Sequence, residues 1–167
     1  MARNAGSSVS SSPGGILSFA PTDDATITQS TPTRTDPANP QLLAGANPRR
    51  DFLLKFTVTG TKGRKIASAK LQLQAAAWGD AGASIAATRS SSWSQATVTW
   101  GNAPAAKQPA LATLNALIAG NTYLADVSQL VKGDGTYSLR VSLPRNAPVA
   151  IASRESPTPP LLFVLFK

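Results

Sequence analysis

Asp51-Phe52-Leu53-Leu54-Lys55-Phe56-Thr57-Val58 is the stretch on which the fold reading turns. Phe52, Leu54, Phe56 and Val58 recur at every second position, and Asp51, Leu53, Lys55 and Thr57 fill the places between. A period of two is the mark of a strand whose alternate side chains face a core and water. The same spacing recurs downstream. Ala69, Leu71 and Leu73 alternate with Lys70, Gln72 and Gln74; Ala96, Val98 and Trp100 with Thr97 and Thr99; Tyr137, Leu139 and Val141 with Ser138, Arg140 and Ser142. Loops are predicted at Thr59-Gly60-Thr61-Lys62-Gly63, Trp78-Gly79-Asp80-Ala81-Gly82 and Lys132-Gly133-Asp134-Gly135, where turn-forming residues interrupt the alternation. Short strands between regular turns predict an all-β chain, an antiparallel β-sandwich of jelly-roll type. At most one or two short helical turns are expected. One lies in Ala105–Ala119, where Leu111, Leu114, Leu117 and Ile118 have partial helical spacing. The other is at Leu130-Val131, capped by Asp126 or Ser128.

Composition supports this reading. The 167 residues suit one domain, 42% are hydrophobic, and only 14% are charged. Glu155 is the one glutamate, whereas helical surfaces usually carry many Glu and Lys residues. Residues 1–15 are rich in Ser and Gly and read as a flexible leader or linker, leaving 16–167 as a single sandwich domain. The first residues carry no apolar core of the signal-peptide kind, and no stretch is long enough to span a membrane. A bare Met1 fits a piece of a larger secreted protein or a natural start in a virion component.

Several kinds of chemistry are disfavoured. The chain has no histidine and no cysteine, which removes the usual general base, every Ser-His-Asp arrangement and thiolate metal sites. The eight acids are scattered, with no evident pair for glycoside hydrolysis. The protein therefore reads as a binder without catalytic activity. Asp23, Asp24, Asp126 and Glu155 stand at strand edges and are the candidate oxygen ligands for a structural calcium. The plainer alternative is that they cap backbone amides or pair with arginine. No cofactor is required.

Sixteen Lys and Arg against eight acids give a net charge of +8, which favours a polyanionic partner. Lys55, Lys70 and Arg140 occupy the outward positions of their strands and would form a cationic face if those strands share a sheet. Arg34, Arg49, Arg50 and Arg154 fall near strand ends or loops. Arginine grips a carboxylate through two parallel hydrogen bonds, and lysine acts as a point charge. Trp93 and Trp100 read as buried, whereas Trp78, beside the Gly79–Gly82 loop, is the candidate ring for stacking on a sugar. Nucleic acid is a weaker candidate partner, because no strand interleaves aromatic with basic residues.

Six segments resemble, in order, the DNRLRE-type domain, whose members include carbohydrate-binding modules of alginate-degrading enzymes. They are Pro21–Ala25, Phe52–Phe56, Ile66–Leu73, Ser91–Pro104, Ala125–Val131 and Ser153–Ser156 with Pro159-Pro160-Leu161. The resemblance implies a jelly-roll sandwich on secreted enzymes, surface proteins or phage structural proteins. It also implies binding of a polysaccharide such as alginate through basic side chains. Two departures stand out. Arg34–Pro40 replaces the Asn- and Gly-containing loop usual after the first strand, and Gln95 stands where Glu is usual, a change expected to alter a local hydrogen bond. The function expected is that of a non-catalytic module for an acidic polysaccharide, extracellular or at a cell surface and attached to a larger enzyme or surface protein. The alternative is a structural or adhesion protein of a virion or cell surface that self-assembles through its sandwich. Lys55, Lys70, Arg140, Arg154, Arg49, Arg50 and Trp78 are the candidate ligand-binding residues.

Overall fold

The computed structural model describes residues 14–167. The expected leader over 1–15 lies outside the described residues, apart from Gly14 and Gly15. Eleven strands follow: β1 (Ile16–Phe19), β2 (Asp23–Thr28), β3 (Gln41–Ala46), β4 (Arg49–Val58), β5 (Ile66–Gln74), β6 (Ser84–Ala87), β7 (Ala112–Thr113), β8 (Thr122–Asp126), β9 (Gly135–Ser142), β10 (Val149–Ala152) and β11 (Leu161–Phe166). They form two antiparallel sheets. One is ordered β1-β11-β5-β8; the other runs β10-β3-β4-β9-β6-β7, with β2 also paired to β4.

Parity explains how the sheets stack. Phe52, Leu54, Phe56 and Val58 of β4, Leu139 and Val141 of β9, Ala69, Leu71 and Leu73 of β5, and Leu162, Val164 and Phe166 of β11 join one buried core. Each comes from the inward face of a strand, and those of β4, β5 and β9 are side chains read directly from the alternation. A fully buried Leu or Phe contributes about 1.5–3 kcal/mol by leaving water, and the core holds many of them. The outer side of the four-stranded sheet mixes Lys70, Gln72, Gln74 and Asp126 with apolar residues: Phe163 and Leu165 are half-buried there, and Ile16 and Leu124 are exposed.

Two local expectations are corrected. Ala96–Trp100 is no strand; the backbone turns there, with Thr97 N and Val98 N both donating to Ser94 O. Its alternation of Ala, Val and Trp reflects a segment draped over the outer face of the second sheet. Val98 and Trp93 pack there on Ala25, Ile27 and Leu53 in a separate small core. Leu53, expected to face water, is fully buried under this segment. In the second correction, Ala105–Ala119 forms no helix. It runs as an irregular edge beside β6, with Lys107 N, Leu111 N and Leu114 N donating to Ala87 O, Ile85 O and Ala83 O. Pro104 and Pro109 remove amide donors that a helix would need, and Leu114 and Leu117 reach the main core instead. The turn after Asp126 forms as expected: Leu130 N donates to Val127 O, and Asp126 Oδ1 accepts from Ser128 N at 2.9 Å.

Candidate functional site

Lys55, Lys70 and Arg140 do not make one cationic face. Lys55 and Arg140 pair in register with Ser138 and Leu53 between β4 and β9, whereas Lys70 is on β5 in the opposite sheet. All three are ion-paired. Lys70 Nζ sits 2.6 Å from Asp126 Oδ2. Lys55 Nζ lies 3.3 Å from Asp23 Oδ2, donates to Trp93 O and stands 4.9 Å from the Trp93 ring. Arg140 Nε donates to Asp51 Oδ2 at 2.8 Å, its Nη1 donates to Pro104 O at 3.1 Å, and the guanidinium stacks 5.1 Å from Trp100. Arg49 joins the same carboxylate, its Nε 3.1 Å from Asp51 Oδ1 and its guanidinium 5.9 Å from Trp100. Lys55 and Arg140 thus fasten the Trp93–Pro104 segment to the sheet beneath, with side chains only 13% and 14% exposed.

Arg154 does similar work. Its Nη1 donates to Thr22 O at 2.7 Å and to Gln95 Oε1 at 2.8 Å, and its amide donates to Asp24 Oδ2 at 2.7 Å. Gln95 answers from the other side: Asp24 N donates to Gln95 Oε1, and Gln95 N donates to Asp23 Oδ1. The Gln95 amide oxygen thus receives the Arg154 guanidinium and the Asp24 amide together, without forming an ion pair.

The four candidate calcium ligands do not gather at one point, although Asp24 and Glu155 are neighbours. Asp23 accepts from Gln95 N and faces Lys55, which, against the cost of partial burial, hold its carboxyl below the usual range. Asp126 is on the other sheet, with its carboxyl lowered chiefly by Lys70. Glu155 Oε2 accepts from Ser153 Oγ at 3.1 Å. Asp24, 2% exposed, is pushed up to about 7, chiefly by burial and further by the neighbouring Glu155 carboxylate. Among the described residues, no three His, Cys, Asp or Glu side chains come together as a metal site.

Arg50 has a different setting. It faces Thr28 across the β2–β4 ladder, as Phe52 faces Thr26, so Thr26, Thr28 and Arg50 share one face. Arg50 and Arg34 line a cleft of about 340 Å³ with Thr26, Thr28, Ser30 and Thr31. Asp36 and Asn39 complete the polar wall, joined by a hydrogen bond of 3.4 Å from Asn39 Nδ2 to Asp36 Oδ2. The ion pairs of the described residues involve Arg49, Lys55, Lys70 and Arg140, leaving both cleft arginines unpaired. The cleft combines two guanidiniums, one carboxylate and a row of hydroxyls, a set that can hydrogen-bond sugar hydroxyls and grip a carboxylate. Arg34 and the threonine hydroxyls were not among the candidates. Their sequence signal is the Ser/Thr run from Thr26 to Thr35, which reads as ordinary loop until the fold closes it beside Arg50.

Trp78, in the loop after β5, is 71% exposed, next to Ile118 at 42%. Trp93 and Trp100 behave differently from it: Trp93 is buried, with its Nε1 donating to Ser138 Oγ at 2.7 Å.

No match was found among curated individual proteins. The model of carbohydrate-binding module family 96 matches residues 16–166, and the chain belongs to this family of non-catalytic modules that bind carbohydrate.

Proposed function

We propose that the carbohydrate is an acidic polysaccharide of the alginate type, held through its uronate carboxylates in the Arg34–Arg50 cleft. One observation carries the reading: Arg34 and Arg50, in no ion pair among the described residues, line a hydroxyl-rich cleft that holds a single acid, Asp36, on a chain of net charge +8. The cations at the centres of the strands are neutralised by Asp23, Asp51 and Asp126. They are therefore poorer ligands than a sequence count suggests. An exposed ion pair contributes about 0.2–1 kcal/mol, so affinity needs several contacts along the glycan and falls as salt rises.

The test is affinity electrophoresis in gels containing alginate, polygalacturonate or a neutral glucan. The uronate gels retard the wild-type module, and the Arg34→Ala/Arg50→Ala variant loses about tenfold or more in affinity. Equal mobility of the two proteins in every gel contradicts the reading. The exposed or half-buried apolar residues Ile16, Leu124, Phe163 and Leu165 on the outer face of the four-stranded sheet favour a second role in assembly. A concentration-dependent rise of mass in solution, abolished by Leu124→Lys, supports that role; a monomer at all concentrations removes it.

A further inference from the structure

We infer that Trp78 is a second glycan subsite, a stacking platform for one face of a pyranose ring, next to the arginine cleft and reached by the same polysaccharide chain. The inference rests on the carbohydrate reading above and adds to it a ring-binding position that charge alone does not supply. Its first support is exposure. An indole 71% open to water beside a 42% exposed isoleucine forms an apolar patch that folding leaves uncovered. The patch is concave: Trp78, Gly79, Leu117, Ile118 and Ala147 line a depression of about 420 Å³, and Asp80 places a carboxylate at its edge. A flat apolar wall with a polar acceptor at its edge matches a sugar, which has an apolar C–H face and equatorial hydroxyls.

The second support is preorganisation. Gly79 N donates to Leu117 O at 3.1 Å and Leu117 N donates back to Gly79 O at 2.8 Å, tying the Trp78 backbone to a neighbouring segment. Gly79 is tightly packed as well: a Cβ there would lie 3.1 Å from Val149 Cγ1 and 3.2 Å from Pro148 O, so these neighbours would have to give by a few tenths of an ångström. The ring is therefore presented from a fixed base, which lowers the ordering cost of binding.

Continuity is the third support. Ala46 N donates to Arg145 O at 2.8 Å, and a Cβ on Gly45 would meet Pro148 Cβ at 3.1 Å, so residues 45–48 and 145–148 lie against each other. Pro48 lines the arginine cleft and Ala147 lines the tryptophan depression. This pair of loops is the wall between the two sites, and it carries the exposed Arg145. A chain of several sugars would cross it, with a carboxylate in the cleft and a ring on the indole.

The experiment follows acrylamide quenching of tryptophan emission with oligouronates, oligogalacturonates and neutral gluco- and manno-oligosaccharides, in the wild type and in Trp78→Ala, Trp78→Phe and Arg34→Ala/Arg50→Ala. Bound glycan is expected to protect the wild type from quencher, and this protection is absent in Trp78→Ala, where only Trp93 and Trp100 emit. Trp78→Ala weakens binding about tenfold, equivalent to about 1.4 kcal/mol, and Trp78→Phe recovers part of the loss. Because the ring is exposed, both variants fold, and unchanged thermal unfolding verifies this. Uronate binding with unchanged quenching and full affinity in Trp78→Ala overturns the platform and leaves the acidic-ligand reading standing. Protection of Trp78 by a neutral glycan alone does the reverse. A panel in which no glycan binds overturns both.

Discussion

Asp51 is 1% exposed, yet its two carboxylate oxygens take one arginine each, Arg49 and Arg140, both stacked near Trp100. A carboxylate in this position is held by its partners, and removing it leaves the largely buried Arg140 guanidinium without its acid, whereas Arg49 keeps access to water. Breaking such a pair from one side costs roughly 3 kcal/mol. Asp51→Asn is therefore expected to lower the unfolding free energy by about that amount, read as a lower urea midpoint at an unchanged two-state slope. Asp24 makes a prediction of opposite sign to ordinary acid lability. Its folded pKa, about 7, lies above the usual carboxylate value of 3.8. Between those pH values the folded state holds more protons than the unfolded state, so stability falls as pH rises from about 4 to about 7 and is level above. Asp23, Asp126 and Asp134 are lowered and act only at more acid pH. Chemical denaturation between pH 4 and 8 is expected to show a decline of a few kcal/mol in the wild type, at about 1.4 kcal/mol per tenfold change in acidity. Asp24→Asn flattens it, and an unchanged slope in that variant contradicts the assignment.

The segment from Ser91 to Pro104 best separates what sequence can reveal from what it cannot. Strand parity located the inward residues of β4, β5 and β9, because a period of two over six or more residues survives any tertiary arrangement. The same rule failed at Ala96–Trp100, where three apolar residues at every second place arise from a turn lying on a sheet. Nothing in the local pattern distinguishes a strand edge from a cover. For the same reason Leu53, Lys55 and Arg140 were read as facing water: the outward face of a strand is solvent only if no loop returns over it. The cover is held by Trp93 Nε1 on Ser138 Oγ, by Lys55 on Trp93 O, and by Asp23, Gln95 and Arg154 around its start. Trp93→Ala removes a buried ring at a cost of about 3–5 kcal/mol. Hydrogen exchange is expected to quicken through 91–104 while the β4–β9 ladder stays protected; uniform loss of protection across both would show that the segment is integral to the main core.

At the scale of the whole molecule, charge is sorted by position. Cations in the middle of strands meet aspartates, while Arg34, Arg50 and Arg145, like Lys62, Lys65, Arg89, Lys107 and Lys132 elsewhere, make no ion pair among the described residues. A sequence count of +8 cannot show which cations are neutralised by an acid and which are not. The pairing of cations with acids remote in sequence, such as Lys70 with Asp126 or Arg140 with Asp51, exists only after folding. Glycan affinity is expected to fall steeply between low and physiological salt, and the fall should be shallower once the cleft arginines are gone. The most direct measurement is a calorimetric titration of an oligouronate into three proteins: wild type, Arg34→Ala/Arg50→Ala and Lys70→Ala. Binding that is weakened at least tenfold by the double substitution and unchanged by Lys70→Ala is the predicted result. Equal affinity in all three, or a loss confined to Lys70→Ala, would contradict it.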